Sequence, residues 1–399
     1  MSHLSIVDEL SNFIYREFHS FRASEISRRC FSFEQFSEIF LKISNHDALR
    51  IIPVGESTEG RPLRLVKIGS GNTKVFSWSQ MHGDESTATL ALLDIMRFFA
   101  GNTRFETLRV ELLEKLTIYI LPMVNPDGAE RFSRENINGI DLNRDALNLA
   151  EIESKILQKT FEVIKPDFVF NLHDQDPRYS IGIANRQAAI SFLAPPFNET
   201  REINANRSRA MKLIAGMKLT LEHFIPEHIG KYSDEYEATA FGDRFQELGA
   251  ATILIESGGW RGDPEKQFVR QLNVIAILSA FVIIARNAVE SFSADDYNSI
   301  PFIEKKLFDL LLRKVGVNLG DGIKDVDIGI NCYEKHLPIL ELSANIEAIG
   351  DLSGYSGLEE LDCTGCHADR MLEKGDAANI VIMKNGGVFA IIENGRLKM

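Results

Sequence analysis

Between about Ile51 and Arg286, short β-rich runs alternate with longer helical stretches, which predicts an α/β fold with a mixed or mostly parallel sheet and helices on both faces. Two further observations shape the expectation. Residues 1 to 48 combine Phe, Ser and mixed charge with helical spacing, whereas the helical signal weakens after Ser291 and the tail from Leu352 onward has Gly-punctuated short strands. The chain is therefore expected as a helical N-terminal extension over 1–48, an α/β domain over 49–290, and a small, mainly β C-terminal domain over 291–399. Its 399 residues exceed the roughly 250 to 300 that one hydrophobic core ordinarily serves.

In chain order, the first helical candidates are Ser5 to Phe18 and Phe33 to Ile43. Strand candidates rich in β-branched and aromatic residues follow at Leu63 to Ile68, Lys74 to Trp78, Leu116 to Leu121, Asp167 to Leu172 and Ala251 to Ile255. Helices are expected at Thr87 to Phe99, Glu151 to Ile164, Arg207 to Phe224 and Pro264 to Arg286. Within the last of these, Asn273 to Ala285 is uncharged, yet it falls well short of the ~20 residues a bilayer span requires, so it reads as a buried helix. The tail offers two clear strands, Ala378 to Ile382 and Val388 to Ile392. There is no internal repeat and no low-complexity stretch.

Lys and Arg number 44 against 57 Asp and Glu, for a net charge of −13. With no basic cluster, this balance argues against a general nucleic-acid footprint and favours peptides or small molecules as partners. The opening Met1 to Leu10 carries Asp8 and Glu9 and lacks a basic lead and an apolar core, so it does not read as a secretory signal. Four cysteines are too few for a disulfide framework in a chain of this size. A cytoplasmic location with no membrane association is the expectation.

The chemistry concentrates at two strand ends. Lys74-Val75-Phe76-Ser77-Trp78 runs into Gln80-Met81-His82-Gly83-Asp84-Glu85, and Asp167 to Leu172 runs into His173. Two imidazoles and one carboxylate suit a catalytic zinc, because three protein ligands leave a position open, whereas four cysteines would close the shell. Between and beyond these segments lie Asn125-Pro126-Asp127-Gly128, then Arg134-Glu135-Asn136-Ile137-Asn138-Gly139-Ile140-Asp141-Leu142-Asn143-Arg144, and last Ile253-Leu254-Ile255-Glu256-Ser257-Gly258-Gly259.

Taken in this order, the motifs resemble the zinc metallocarboxypeptidase family over about residues 50 to 290. The resemblance implies an eight-stranded mixed sheet flanked by helices, one zinc ion, and removal of a residue from a peptide C-terminus. Carried over by position, His82, Glu85 and His173 look like the metal ligands. Glu256 looks like the general base, and Arg134 like the donor that polarises the scissile carbonyl. Asn143 and Arg144 look like the clamp for the terminal carboxylate, a role that suits the planar guanidinium fork. Zinc lowers the pKa of its water, and Glu256 would take the proton and pass it to the leaving amine.

Asp141 matches the residue that orients the first ligand histidine, and its alternative is a turn aspartate in the Gly139-Ile140-Asp141 bend. For the tyrosine that covers substrate, Tyr236 fits the spacing, with Tyr232 in reserve and a plain loop role also open. Asp84 stands where digestive members of the family carry an arginine, so that subsite differs here. The pocket floor is expected near Ala240 to Arg244, where Asp243 would favour a basic terminal residue, or serve as a helix N-cap, and Arg244 would favour an acidic one.

Cys363-Thr364-Gly365-Cys366-His367 has the spacing of a haem attachment, but an ordinary turn is the expectation; a small metal site with Cys332 or His336 is the other option. The closest competing activity is that of an N-acyl amino acid amidohydrolase of the aspartoacylase and desuccinylase type. Its substrate would be an acylated amino acid rather than a peptide. A binding protein that kept the fold but lost the chemistry should lack a ligand or the glutamate, and neither is missing.

Overall fold

The computed structural model describes residues 11–101, 105–182, 185–318, 320, 322–337 and 339–398. The part of the expected Ser5 to Phe18 helix before Ser11 lies outside the described residues; residues 11–17 are helical. Five strands come first: β1 (Leu49–Glu56), β2 (Pro62–Ile68), β3 (Thr73–Ser79), β4 (Leu116–Leu121) and β5 (Phe168–Asp174). A short hairpin, β6 (Tyr179–Ile181) with β7 (Arg186–Gln187), precedes β8 (Ile190–Leu193), β9 (Ile229–Lys231) and β10 (Ala251–Ser257). Helices beyond residues 11–17 include α1 (Phe33–Ser44), α2 (Thr87–Ala100), α3 (Glu106–Lys115), α4 (Pro126–Arg131), α5 (Ile152–Ile164), α6 (Ala205–Glu222), α7 (Phe241–Glu247) and α8 (Gln267–Ala285), with a short one at Ala294–Asn298.

Eight of these strands form one mixed sheet in the order β1-β2-β4-β3-β5-β10-β8-β9. At its centre β4, β3, β5 and β10 run parallel, so the carboxyl ends of β3, β5 and β10 open on the same edge. These central strands are buried over most of their length, as parallel strands covered on both faces must be. On one face α2, α6 and α8 cover the sheet, joined by α1 and the aromatic residues Phe18, Phe21 and Phe31. On the other face α5 and α7 pack Phe161 and Phe245 against Trp78 and Phe76. Removing a buried aromatic such as Trp78 would cost about 3–5 kcal/mol. Helix α8 is long and apolar enough to cross a membrane by composition, but its residues from Leu272 to Ala285 are all buried in the core.

The chain divides into two compact units: the described residues up to Pro177 with Ala188–Ile303, and Arg178–Gln187 with Glu304 onward. These bounds differ from those expected at 48 and 290, for physical reasons. Phe36, Phe40 and Ile43 of α1 share the same apolar core as α2, so the N-terminal stretch is part of that core. Beyond residue 290, Phe292, Tyr297 and Ile300 are buried in it too. The hairpin β6–β7, inside the expected α/β segment, belongs with the second unit.

The second unit holds a seven-stranded sheet in the order β14-β13-β12-β15-β16-β17-β18, and β11 (Ile303–Lys305) joins β6 and β7. Its strands are β12 (Leu307–Asn318), β13 (Ile323–Leu337), β14 (Ile339–Gly350), β15 (Ser356–Ala368), β16 (Ile380–Lys384), β17 (Gly387–Glu393) and β18 (Arg396–Lys398). Cys363 and Cys366 lie on β15 and point into this unit's apolar core, while His367 is exposed. Burial pushes the Cys363 thiol up to about 12, the opposite of what a thiolate ligand needs. The two cysteines therefore sit in a strand with a bulge at Gly365, not in a turn, and they gather no metal-binding group among the described residues. The side chain of His336 lies outside the described residues.

Candidate active site

The first ligand segment begins where β3 ends. Gln80 adopts a left-handed φ of 51°, which turns the chain off the sheet edge. Asn125, capping α4, closes this turn from across: its backbone N–H donates to the Gln80 carbonyl at 3.0 Å and its Nδ2 to the Met81 carbonyl at 3.2 Å. Its Oδ1 accepts from the Gly128 N–H at 2.9 Å. Gly83 passes so close to Gly128 that a Cβ there would stand 2.1 Å from the Gly128 carbonyl carbon, so only glycine fits. Asp127 ties α4 to the loop between β1 and β2, accepting from Ser57 Oγ at 2.7 Å, from the Glu59 N–H at 2.9 Å and from Arg61 at 2.6 Å. The Asn-Pro-Asp-Gly text is thus a backbone clamp for the segment that carries His82 and Glu85.

His173 comes from the end of β5, and Glu256 lies beside it in register on β10. Immediately after Glu256 the chain passes Ala188, where a Cβ on Gly258 would sit 1.9 Å from the Ala188 carbonyl oxygen. This explains the Ser257-Gly258-Gly259 run: the backbone must approach closely to hold Glu256 at the sheet edge.

Three side chains converge. Glu85 Oε1 lies 2.8 Å from His82 Nδ1, Glu85 Oε2 lies 2.8 Å from His173 Nδ1, and the two Nδ1 atoms are 3.1 Å apart. All three residues are under a tenth exposed. His82 Nε2 is 3.0 Å from Asp141 Oδ1. With its Nε2–H donated to that carboxylate, neutral His82 presents a lone pair at Nδ1, toward another imidazole nitrogen and a carboxylate. Buried lone pairs crowded in this way need a cation among them. Two imidazoles and a carboxylate are the donor set that zinc takes in open catalytic sites, and these atoms all lie within 4.8 Å of one another. The residues fit the ion.

The charges report the same demand. Burial opposes a charge on His82, but Glu85 and Asp141 outweigh it and hold the imidazolium up to about 9. Against the cost of burial, His82 and His173 hold Glu85 well below the usual carboxylate range, and His82 and Arg134 do the same for Asp141. Burial lowers His173. Glu256 moves the other way: burial first, then the nearby Glu85 carboxylate, push it well above the ordinary glutamate value. Two carboxylates a strand apart are thus driven in opposite directions, the pattern of one ligand and one proton carrier.

Asp141 fills both expected roles at once. Its Oδ1 accepts from the Asn143 N–H at 2.8 Å as the cap of a short 3-10 turn, while also holding His82. Its Oδ2 accepts from Arg134 Nη2 at 3.0 Å. Arg134 reaches the triad, with Nη1 3.2 Å from both His82 Nδ1 and Glu85 Oε1. Asn143 is tied to α7, its Oδ1 accepting from the Phe241 N–H at 3.0 Å. The Arg144 guanidinium is half exposed, and its ion contact with Glu237 is loose at 3.9 Å.

Tyr236 stands among Glu247, Asp243 and Arg244, in the loop before α7. Asp243 is not the cap of that helix, which starts at Phe241 with Ala240 as its cap; it accepts from the Glu237 N–H at 3.1 Å. Burial raises it to about 7. Arg244 turns away to pair with Glu247 at 2.6 Å. Asp84 is half-buried, and burial together with Glu85 raises it to about 6. Sequence reasoning missed Lys266 and Asp174, an ion pair at 3.1 Å beside the site. Nothing in Gly262-Asp263-Pro264-Glu265-Lys266 distinguishes this lysine from one in a solvated turn.

Residues 40–161 match the zinc carboxypeptidase family. The chain is 28% identical over 140 residues to Carboxypeptidase SOL1 of Arabidopsis thaliana, covering 31% of this chain and 28% of that protein. It is 28% identical over 129 residues to Carboxypeptidase 2 of Trichophyton rubrum, covering 30% of this chain and 23% of that protein. The matched segment thus spans about a quarter of the length of these relatives. Among solved structures, a metallo-carboxypeptidase from Pseudomonas aeruginosa, in complex with (2-guanidinoethylmercapto)succinic acid, shares the fold. Its TM-score is 0.52 at 17% identity, covering 65% of this chain and 70% of that one.

Proposed function

We propose, from the match of residues 40–161 to the zinc carboxypeptidase family and from the site itself, a zinc-dependent metallocarboxypeptidase that hydrolyses the C-terminal amide bond of a peptide. The observation that carries this reading is the convergence of His82, Glu85 and His173, with Glu256 in register beside His173. When bound there, zinc supplies Lewis acidity toward a carbonyl and lowers the pKa of water. The chain's own residues do the rest. Arg144 offers its fork, and Asn143 its side-chain amide N–H, to the terminal carboxylate of the peptide, with Asn143 fixed to α7 through its Oδ1. Arg134 donates to the scissile carbonyl oxygen as negative charge builds on it. Glu256, whose burial favours a bound proton, takes the proton of the attacking water and gives it to the leaving amine. Tyr236 covers the bound terminal residue.

The test is hydrolysis of short peptides with free or amidated C-termini, beside N-acetyl and N-succinyl amino acids. The expected result is release of one C-terminal residue from free-carboxylate peptides only, abolished by a chelator and restored by zinc. Glu256→Gln should keep its zinc and lose about 10²- to 10⁴-fold in kcat. Equal cleavage of amidated peptides, preference for the N-acyl amino acids, or a Glu256→Gln variant as fast as the parent would overturn the reading.

A further inference from the structure

Behind the ligand cluster a lysine is buried where a lysine is costly. The Lys266 side chain is 8% exposed, as is that of Asp174. Its ammonium donates to Asp174 Oδ2 at 3.1 Å, to the Ser257 carbonyl at 2.9 Å and to the Gln175 carbonyl at 3.5 Å. An ammonium has three N–H donors, and burial without partners for them would cost several kcal/mol; here each has an acceptor. Those acceptors are not scattered. Asp174 and Gln175 follow His173 at the end of β5, and Ser257 follows Glu256 at the end of β10.

The same contacts reach the third site segment. Asp174 Oδ2 also accepts from Thr87 Oγ1 at 2.5 Å, and the Asp174 N–H donates to Glu85 Oε2 at 3.1 Å. Thr87 opens α2, two residues beyond Glu85. One ammonium thus joins the ends of the two strands that carry His173 and Glu256, and through Asp174 it reaches the segment that carries Glu85. The backbone of Lys266 is itself fixed: its N–H donates to the Asp263 carbonyl at 3.0 Å and its carbonyl accepts from the Arg270 N–H at 2.8 Å, at the head of α8. The charge also acts at a distance, since Lys266 opposes the burial and Glu85 repulsion that drive Glu256 toward protonation.

We propose that Lys266 is a positioning residue, a buried brace that acts through Asp174 and Ser257 to set where His173, Glu85 and Glu256 face one another. The proposal rests on the metallocarboxypeptidase reading for its kinetic consequence but not for its metal-binding one. A ligand orientation held by outer contacts of this kind ordinarily accounts for 10- to 100-fold in metal affinity or rate.

The experiment measures zinc affinity by chelator competition on the full chain for the parent, Lys266→Met, Asp174→Asn and the double variant, with peptide hydrolysis measured in parallel. Each single variant should bind zinc about tenfold more weakly, and the double variant should be no weaker than the worse single, because both remove one brace. In hydrolysis, Lys266→Met should lose about tenfold in kcat with KM changed less than twofold. If Lys266→Met does not fold, Lys266→Gln, which keeps hydrogen-bonding capacity without the charge, is read in its place. Zinc affinity equal to the parent's, or losses that multiply in the double variant, would overturn the brace. A parent that binds zinc but cleaves no peptide would instead count against the peptidase reading, and the zinc comparison would still decide the role of Lys266.

Discussion

The two ends of the site are built on opposite plans. At the metal end His82, Glu85 and His173 are buried, and they are held by the Asn125 side-chain amide on the Met81 carbonyl, the Asp174 N–H on Glu85 and the Asp141 carboxylate on His82. At the carboxylate end the Arg144 and Glu237 side chains are 51% and 47% exposed, and 3.9 Å separates their charged atoms. The difference follows from what each end must receive. Converging lone pairs repel and would spread apart unless the chain over-determines their positions, so the metal end is preorganised in advance. A charged substrate has to displace water and any resident partner, so a guanidinium locked in a good ion pair would bind it poorly; in the proposed reading Arg144, whose Nη1 donates to the Asn143 carbonyl at 2.7 Å while its ion contact with Glu237 stays loose, keeps its remaining donors for that carboxylate.

The sharpest way to break this contrast is at Asp141, the group shared by both ends. It holds His82 on one oxygen, pairs with Arg134 on the other, and caps the turn that presents Asn143 and Arg144. Asp141→Asn keeps the cap and the shape but removes the charge. Zinc affinity, measured by chelator competition, should fall by about a hundredfold, the upper end for a ligand's hydrogen-bond partner. Unchanged affinity would reduce Asp141 to a turn residue and leave the metal end without its outer anchor.

The opposite end gives a smaller, differently shaped effect. Arg144→Ala should leave zinc affinity unchanged and raise KM for free-carboxylate peptides by about tenfold, the low end for a charge-assisted contact because the side chain is half exposed. Hydrolysis kinetics on matched free and amidated peptides decide the matter. If KM moved equally for both, the guanidinium would not be reading the terminal carboxylate.

Much of the metal end was legible in the sequence, because strands announce themselves by β-branched and aromatic residues and ligands by type. Trp78 and Leu172 mark the ends of strand-like runs; His173 follows Leu172 directly, and His82 comes four residues after Trp78. Asp141 was legible only as a choice between two roles, and the structure shows that one carboxylate oxygen can hold both, since Oδ1 faces His82 Nε2 and the Asn143 N–H together while Oδ2 is left to Arg134. Lys266 was not legible at all: its importance comes from carbonyls contributed by residues 175 and 257, and backbone acceptors leave no trace in side-chain identity. Strands β12 to β15 were missed for a related reason. Charged stretches such as Lys324-Asp325-Val326-Asp327 and Glu359-Glu360 interrupt the apolar residues along these strands, so the pattern does not read as strand even where β12 carries Leu310-Leu311-Leu312. The unit boundary at Ile303 was hidden because Phe292, Tyr297 and Ile300 return to the first core after α8 has ended.

The smallest effect, and the one that tests the carboxylate end without any substrate, concerns Asp243. Burial raises its carboxyl from 3.8 to about 7, and the Glu237 N–H that it accepts from only partly offsets this. A carboxyl whose folded value is raised binds its proton more tightly in the folded chain than in the unfolded one. Its neutral form is therefore the stable one, and that contribution is fully present below about pH 4 and is lost as pH climbs toward 7. Asp243→Asn has the shape of the neutral acid and can still accept from Glu237, so it should melt like the parent near pH 4 and above it at pH 8. Relaxation of the loop around Glu237 should hold the gain to about 1–2 kcal/mol, a rise in Tm of a few degrees. Thermal melts of both proteins across this range are the measurement. A Tm difference that does not change with pH would mean that Asp243 stays ionised throughout, and the carboxylate end would then carry a standing negative charge facing Arg144 rather than a neutral floor.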